Sequence, residues 1–329
     1  MPVAKTEKEK NKVFKFLKKS KHTKFTQDTN WGKVKCNWSQ DFVYVEENKE
    51  IKACISVIGI NNECGYFLYA PRGPVCDFYD VDLVKKLIDE ADELQKKYDA
   101  FMLRIDPEVN FDERLIHQYK KLGLSFRTFD DDIYSFIQPR YNMILDLNGF
   151  DEESLLMSFS QKARYNVRKS CRNNTLTKIE KPDEKNIDDF FKLTKIMAKR
   201  QNISHRPKEY FKRLAENYDV LFANSFYQNN LLSSCLLLKY KDKIYYLYAA
   251  SGNEKRNLMP TYNMIWHCLK YALNHNYRYF DFGGTFSLSK EDGLYRFKEG
   301  FCHPNKYTAF IGELDKVYKK ENYDKFNKK

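Results

Sequence analysis

Apolar and polar positions along this chain form one pattern twice over. In the first half apolar residues alternate over 42–46, recur over 51–60 after the turn Glu47-Asn48-Lys49, and recur again over 66–70, where Pro71-Arg72-Gly73-Pro74 ends the run. Such short runs bounded by turn residues predict three strands. Leu83, Val84, Leu87, Ile88, Ala91 and Leu94 then recur at helical spacing. A strand at 101–105 stops at Asp106-Pro107, a helix near 111–122 is closed by Gly123, and 141–147 reads as a further strand. The second half repeats the plan, with strands at about 219–226, 231–240 and 243–250 and turns at Gln228-Asn229-Asn230 and Lys241-Asp242. A helix opens at Pro260, suited to a first helical turn, and runs through Ile265, Leu269 and Leu273 to a strand at 278–282 ending in Gly283-Gly284. Between the halves, 151–174 and 184–201 read as helices, and the lysine-rich 316–329 as a frayed terminal helix.

A meander, a helix and a strand in both halves predict a duplicated α/β unit: two mixed sheets with flanking helices, meeting across a shared cleft. A chain of 329 residues has the length for two such domains. We place them at 1–147 and 148–310, with 311–329 as a tail packing back on the first. This is also the layout of acetyltransferase-type (GNAT) domains. Those that use coenzyme A cradle its pyrophosphate on a glycine-rich turn opening the helix after the meander. The equivalent turns here, Pro71-Arg72-Gly73-Pro74 and Ser251-Gly252-Asn253-Glu254, lack closely spaced glycines, which disfavours that donor.

Hydrophobic residues make up 42% and aromatics 16% of the chain, ample for two cores. A net charge of +12 favours polyanionic partners such as RNA, nucleotides or acidic membranes, although a lysine-rich background competes with that reading. The first twenty residues lack an apolar core of signal-peptide length and no later run could span a bilayer. The eight cysteines, at 36, 54, 64, 76, 171, 235, 268 and 302, form no CxxC or ligand-like spacing. A reduced, cytoplasmic, monomeric protein without a metal site is expected.

Candidate chemistry is sparse, and each motif is only weakly specific by itself. Lys298, beside Phe297 in GLYRFKEGF, could sit part-buried near a sheet end and face a developing oxyanion, or simply lie at the surface. Arg206 precedes a helix opening at Pro207, where its guanidinium could clamp a diphosphate. Lys33 and Lys35, in WGKVK, offer a second cationic site against the alternative of solvated lysines. Asp106 could be a general base for an attacking amine, but an Asp before Pro is ordinary turn chemistry, the reading we favour. Period two puts Ile244, Tyr246 and Tyr248 on one strand face, as core or cleft wall. The cations of 151–174, Lys162, Arg164, Arg168, Lys169 and Arg172, fit a solvated helix or a phosphate-facing stripe equally. No residue set makes a nucleophilic triad.

Taken together, FTQDTNWGKVKCNW (25–38), YAPRGPV (69–75), MLRIDPEV (102–109), QPRYNMILDL (138–147), KARYNVRKS (162–170), ISHRPKEYF (203–211), YYLYAAS (245–251), PTYNMIW (260–266), YFDFGG (279–284) and LYRFKEGF (294–301) resemble the Fem family over essentially the whole chain. The length resembles its short FemX type, without the long antiparallel helical arm of other members. The resemblance implies two GNAT-like domains, the first binding precursor and the second transferring the acyl group. It implies transfer of alanine, serine or glycine from aminoacyl-tRNA to the side-chain amine at position three of UDP-MurNAc-pentapeptide, starting the peptidoglycan cross-bridge. No metal, organic cofactor or DNA is implied. Residue by residue, Lys35 and Arg206 match contacts to the nucleotide diphosphate, with Lys33 and Tyr210 beside them, and Tyr248 matches a cleft tyrosine. Asp106 matches an acidic position near the acceptor, and Phe297 and Lys298 the pair at the reaction centre. Phe101 stands where a tyrosine is expected. Transfer onto lipid II, a non-catalytic basic tRNA-binding protein and a CoA acetyltransferase remain as alternatives.

Overall fold

The computed structural model describes residues 3–128, 132–303 and 307–328. The chain divides into two units, Met1–Arg140 with Ala309–Lys329, and Tyr141–Thr308.

Unit 1 is built on a six-stranded sheet of β1 (Ser39–Glu47), β2 (Glu50–Asn62), β3 (Gly65–Pro71), β4 (Ala100–Asp106), β5 (Ser125–Arg127) and β13 (Glu313–Val317), in the order β1-β2-β3-β4-β13-β5. β3 and β4 are parallel and the other pairs antiparallel. β2 is buried without interruption from Ala53 to Gly59, so both its faces need cover. Ala53, Ile55 and Val57 pack on the helices at Val81–Glu90 and Glu113–Lys121. Cys54 turns the other way, to Val13 and Leu17 of an N-terminal helix, Glu7–Lys19. That helix, which hydrophobic spacing did not reveal, is stabilised at its start by a capping box between Thr6 and Glu9.

The C-terminal segment is a strand before it is a helix. β13 pairs with β4 on one side and β5 on the other, and only Lys320–Asn327 is helical, against the frayed helix expected from 316. A buried ion cluster pins it: Arg104 donates two hydrogen bonds to Asp315, at 2.8 and 2.7 Å, and lies 3.2 Å from Glu313, which also accepts from Arg127 at 2.6 Å.

Unit 2 carries β6 (Tyr141–Asp146), β7 (Leu176–Glu180), β8 (Val220–Tyr227), β9 (Asn230–Tyr240), β10 (Lys243–Ser251), β11 (Tyr279–Thr285) and a two-residue β12 (Thr308–Ala309), ordered β12-β6-β11-β10-β9-β8-β7. One face packs on the helices Gln161–Arg172 and Pro260–Asn274. On the other, Phe222 packs against Phe190, and Phe190 edge-on against Phe211, from the helices Glu184–Gln201 and Lys208–Asn217. β6 pairs with β11, so the domain boundary falls between Arg140 and Tyr141 rather than after 147. A strand's local pattern does not say which sheet will accept its hydrogen bonds.

Two expected helices are broken. The first splits at Ala91 into Val81–Glu90 and Asp92–Tyr98. The helix expected over 151–174 is Glu152–Ser158 and then Gln161–Arg172. Phe159 adopts an extended backbone there and buries its ring against Trp266 and Phe301, and Ser160 caps the second helix.

Candidate active site

Parallel strands that remain paired close their own ends, and β10 and β11 do not. They pair only over Lys243–Tyr245 against Tyr279–Asp281. A bulge between Tyr246 and Tyr248 then turns β10, and Gly283, at φ +74°, turns β11. A cavity of about 910 Å³ opens at the C-terminal ends of the two strands, the edge where α/β folds place ligands. Tyr246, Ser251, Arg256, Tyr262, Gly284, Phe297 and Lys298 are among its lining residues.

Lys298 belongs to the short helix Gly293–Glu299, whose start is capped by Asp292. Its side chain is held in the wall, with the residue 7% exposed and Nζ donating to the Gly284 carbonyl at 2.8 Å. Burial pushes the ammonium down from 10.5 to about 8, with the charge of Asp281 opposing that shift. Asp281 is itself buried, accepts the Gly283 N–H at 2.8 Å and lies 3.6 Å from Lys243 Nζ. At neutral pH Lys298 is therefore mostly cationic and poorly solvated, the condition in which one ammonium acts strongly on a nearby oxyanion. Phe297 is half-buried, with its ring edge-on to Tyr262 at 5.2 Å and to Phe301 at 5.4 Å.

Sequence reasoning passed over Arg200 and Arg256, both of which line the cavity. Arg200 donates to the carbonyls of Ser251 and Gly252, at 3.0 and 2.9 Å, and to Asn253 Oδ1 at 2.6 Å. The loop after β10 thus turns carbonyl oxygens toward a cation, whereas a pyrophosphate cradle presents N–H groups. The signal was faint, because a basic last helical turn, Lys199-Arg200, reads equally as a complement to the helix dipole.

Arg206, Tyr210 and Tyr248 form a second group in unit 2. The Arg206 guanidinium lies 5.5 Å from the Tyr210 ring centre, and the Tyr248 hydroxyl donates to that of Tyr210 at 3.1 Å. Burial first, then the neighbouring Tyr248, hold the Tyr210 phenol well above its ordinary pKa. The period-two expectation for Tyr246 and Tyr248 is corrected by the bulge. Tyr246 stands opposite Leu237 and Tyr248 opposite Leu236, so the two side chains leave by opposite faces. Tyr246 packs toward Phe280 and Phe282, and Tyr248 packs on Phe211.

In unit 1, Lys33 and Lys35 lie in and just after the short helix Trp31–Val34. Lys35 Nζ lies over the rings of Trp31 and Trp38, at 5.4 and 5.8 Å. Lys33 is exposed, donates to Asn30 Oδ1 at 3.0 Å, and lines a hollow of about 960 Å³ with Lys10, Trp38 and Gln40. Asp106 lines neither hollow. It is buried and accepts the Tyr69 hydroxyl at 2.8 Å and the Arg72 N–H at 2.5 Å. Burial raises its pKa, with Arg72 opposing. β3 and β4 stay paired to Pro71 opposite Asp106, and a smaller hollow of about 320 Å³ lies just beyond them, lined by Lys24, Arg72, Pro107 and Glu108.

The fold is tandem GNAT-like, with a lysine buried at the open end of its splayed strands. The FemAB family model matches residues 8–224 and 220–328, and the chain belongs to that family. It is 35% identical over 321 residues to the UDP-N-acetylmuramoylpentapeptide-lysine N(6)-alanyltransferase of Weissella viridescens, covering 94% of this chain and 93% of that protein. It is 24% identical to the lipid II:glycine glycyltransferase of Staphylococcus haemolyticus (strain JCSC1435), over 94% of this chain and 91% of that protein. The crystal structure of FemX superposes with a TM-score of 0.85 at 22% identity, covering 99% of this chain and 100% of that one. The chain is an aminoacyltransferase. The longest helix among the described residues has 18 residues, and no coiled-coil arm is evident. No helix among them is long and apolar enough to cross a membrane.

Proposed function

We propose that this enzyme moves an aminoacyl group from a charged tRNA to the side-chain amine of the third residue of UDP-MurNAc-pentapeptide, starting the peptidoglycan cross-bridge in the cytoplasm. The observation that carries the reading is Lys298, a buried ammonium fixed on Gly284 at the mouth of the splayed strands. The acceptor amine attacks the ester carbonyl, the C–N bond forms, and negative charge develops on the carbonyl oxygen, where Lys298 stabilises it. The intermediate then expels the ribose oxygen, which takes up a proton released by the attacking amine. Phe297 walls the acyl group, and the exchange of ester for amide relies mainly on positioning.

In this reading the open cavity of unit 2 holds the donor end. Unit 1, whose corresponding strands stay paired to their ends, binds precursor with Lys33 and Lys35. Arg206, with Tyr210 and Tyr248, takes the diphosphate. Asp106, with both carboxylate oxygens engaged, is a positioning residue that holds the β3 end through Tyr69 and Arg72. The name of the 35%-identical relative favours a lysine acceptor and alanine as the transferred residue, and serine and glycine are the alternatives to test.

The experiment is to incubate the protein with UDP-MurNAc-pentapeptide and alanyl-, seryl- or glycyl-tRNA and weigh the product. A mass increase of one amino-acid residue is expected. No increase with any of the three donors, on this acceptor or on lipid II, refutes the proposal. The lipid II relative motivates a second arm with that acceptor, and transfer confined to lipid II would overturn the nucleotide assignment alone.

A further inference from the structure

The helix Gln161–Arg172 carries five cations, Lys162, Arg164, Arg168, Lys169 and Arg172, and no acidic residue. At 100° per residue, Lys162, Tyr165, Arg168, Lys169 and Arg172 fall on one face, opposite the buried Ala163, Asn166, Val167 and Ser170. None of the five cations is in an ion pair among the described residues. Arg164 is spent on the Met157 and Phe159 carbonyls, at 2.8 and 2.5 Å, and Arg168 meets only the Met157 sulfur, at 3.7 Å. Tyr165, in the middle of the stripe, is 56% exposed.

An ordinary solvated helix does not explain this face. Lys169 and Arg172 complement the dipole in the last turn, but Lys162 stands in the first turn, at the positive end, where a cation is unfavourable, and Arg168 lies mid-helix. No glutamate or aspartate is spaced to relieve them. The inner side of the same helix supports the cavity, since Asn166 hydrogen-bonds the Tyr262 side chain and Tyr262 lines the cavity against Phe297. The stripe is about 15 Å long at 1.5 Å per residue, enough for two or three consecutive phosphates. A tyrosine set among cations is the combination that binds unpaired nucleotides, the cations on phosphates and the ring under a base.

We propose that the Lys162–Arg172 face docks the sugar-phosphate backbone near the unpaired 3′ end of the donor RNA, with Tyr165 stacking on a base. This rests on the reading of aminoacyl-tRNA as donor. It assigns RNA binding to a face of unit 2 itself.

The test pairs Arg168→Gln/Arg172→Gln with a control of equal net charge, Lys120→Gln/Lys121→Gln, on the exposed end of the helix Glu113–Lys121. Binding of deacylated tRNA is followed by fluorescence anisotropy across a salt series, with thermal melts verifying that each variant is folded. The stripe variant should weaken Kd about tenfold or more and reduce the slope of log Kd against log salt by about 2, with the control unchanged. Tyr165→Ala should weaken Kd with the slope retained. Turnover with 3′-aminoacyl-adenosine, a minimal donor without that backbone or the stacked base, should hardly change, and KM for charged tRNA should rise. Equal Kd and slope for stripe and control variants overturn the proposal. So does loss of binding to anionic phospholipid vesicles with tRNA affinity intact, which would make the stripe a lipid surface. Wild-type protein that binds tRNA through this stripe yet transfers no amino acid upholds the surface and sinks the donor reading instead.

Discussion

Lys298→Met should move activity and stability in opposite directions. Methionine keeps the shape of the stem and removes the ammonium. Loss of one preorganised oxyanion partner lowers turnover by about 10²–10³-fold, and the KM for the precursor should stay near its wild-type value. Stability behaves otherwise. The fall of the Lys298 pKa from 10.5 to about 8 means that holding the charged form in the folded protein costs about 3 kcal/mol relative to the unfolded chain. Methionine relieves that cost but leaves the Gly284 carbonyl, now accepting at 2.8 Å, without its donor, a loss of about 1–3 kcal/mol. The variant should therefore be as stable as the wild type at pH 7, or more stable by up to about 2 kcal/mol. Because the folded pKa lies below the unfolded one, the unfolded chain binds more protons between about 8 and 10.5. The Lys298 contribution to stability consequently rises with pH across that window and is absent from the methionine variant. Urea melts of both proteins at pH 7 and pH 10, with steady-state kinetics at pH 7, measure all of this. Turnover within about fivefold of the wild type removes Lys298 from the chemistry. A stability difference independent of pH refutes the buried-ammonium account.

Other substitutions probe the frame around the site. Arg104→Met removes the bidentate guanidinium from the buried Asp315 and leaves Glu313 with Arg127 as its remaining cation, so urea unfolding should show a loss of about 3–5 kcal/mol; a loss under 1 kcal/mol would mean the cluster does not hold β13. Gly283→Ala puts a side chain at φ +74°, in ordinary contact with Lys298 Nζ at 3.6 Å, and should cost about 1–2 kcal/mol through backbone strain while lowering turnover, because the turn that relaxes carries the Gly284 carbonyl that holds Lys298. Unchanged kinetics would show that the β11 turn does not position the amine. Arg206→Ala should raise KM for the nucleotide precursor at least tenfold and leave KM for charged tRNA alone, a split that initial-rate kinetics reads directly.

Much of the layout was readable because each strand and helix advertises itself locally. The run at 51–60 and the helical spacing from Pro260 to Leu273 appear in the structure as β2 and Pro260–Asn274. Even Phe297-Lys298 could be singled out, since a lysine beside an aromatic and flanking glycines is local information. Its burial was not local: it arises because Gly284, fourteen residues earlier, offers its carbonyl and because β10 leaves β11 after three paired positions.

The failures share one cause. Tyr246 and Tyr248 were placed on one face because period two holds only while pairing is regular, and Leu247, without an opposite number on β9, breaks it. Tyr141–Asp146 was given to the wrong unit, and Glu313–Val317 was not seen as a strand, because both depend on partners far away in the chain. Composition and periodicity mark most of the strands and helices, since propensity and amphipathicity act over a few residues, but missed Glu7–Lys19 and Glu313–Val317. Which edges pair, where a strand bulges, and which lysine loses its water depend on contacts between distant segments. The chemistry of this enzyme rests on those contacts.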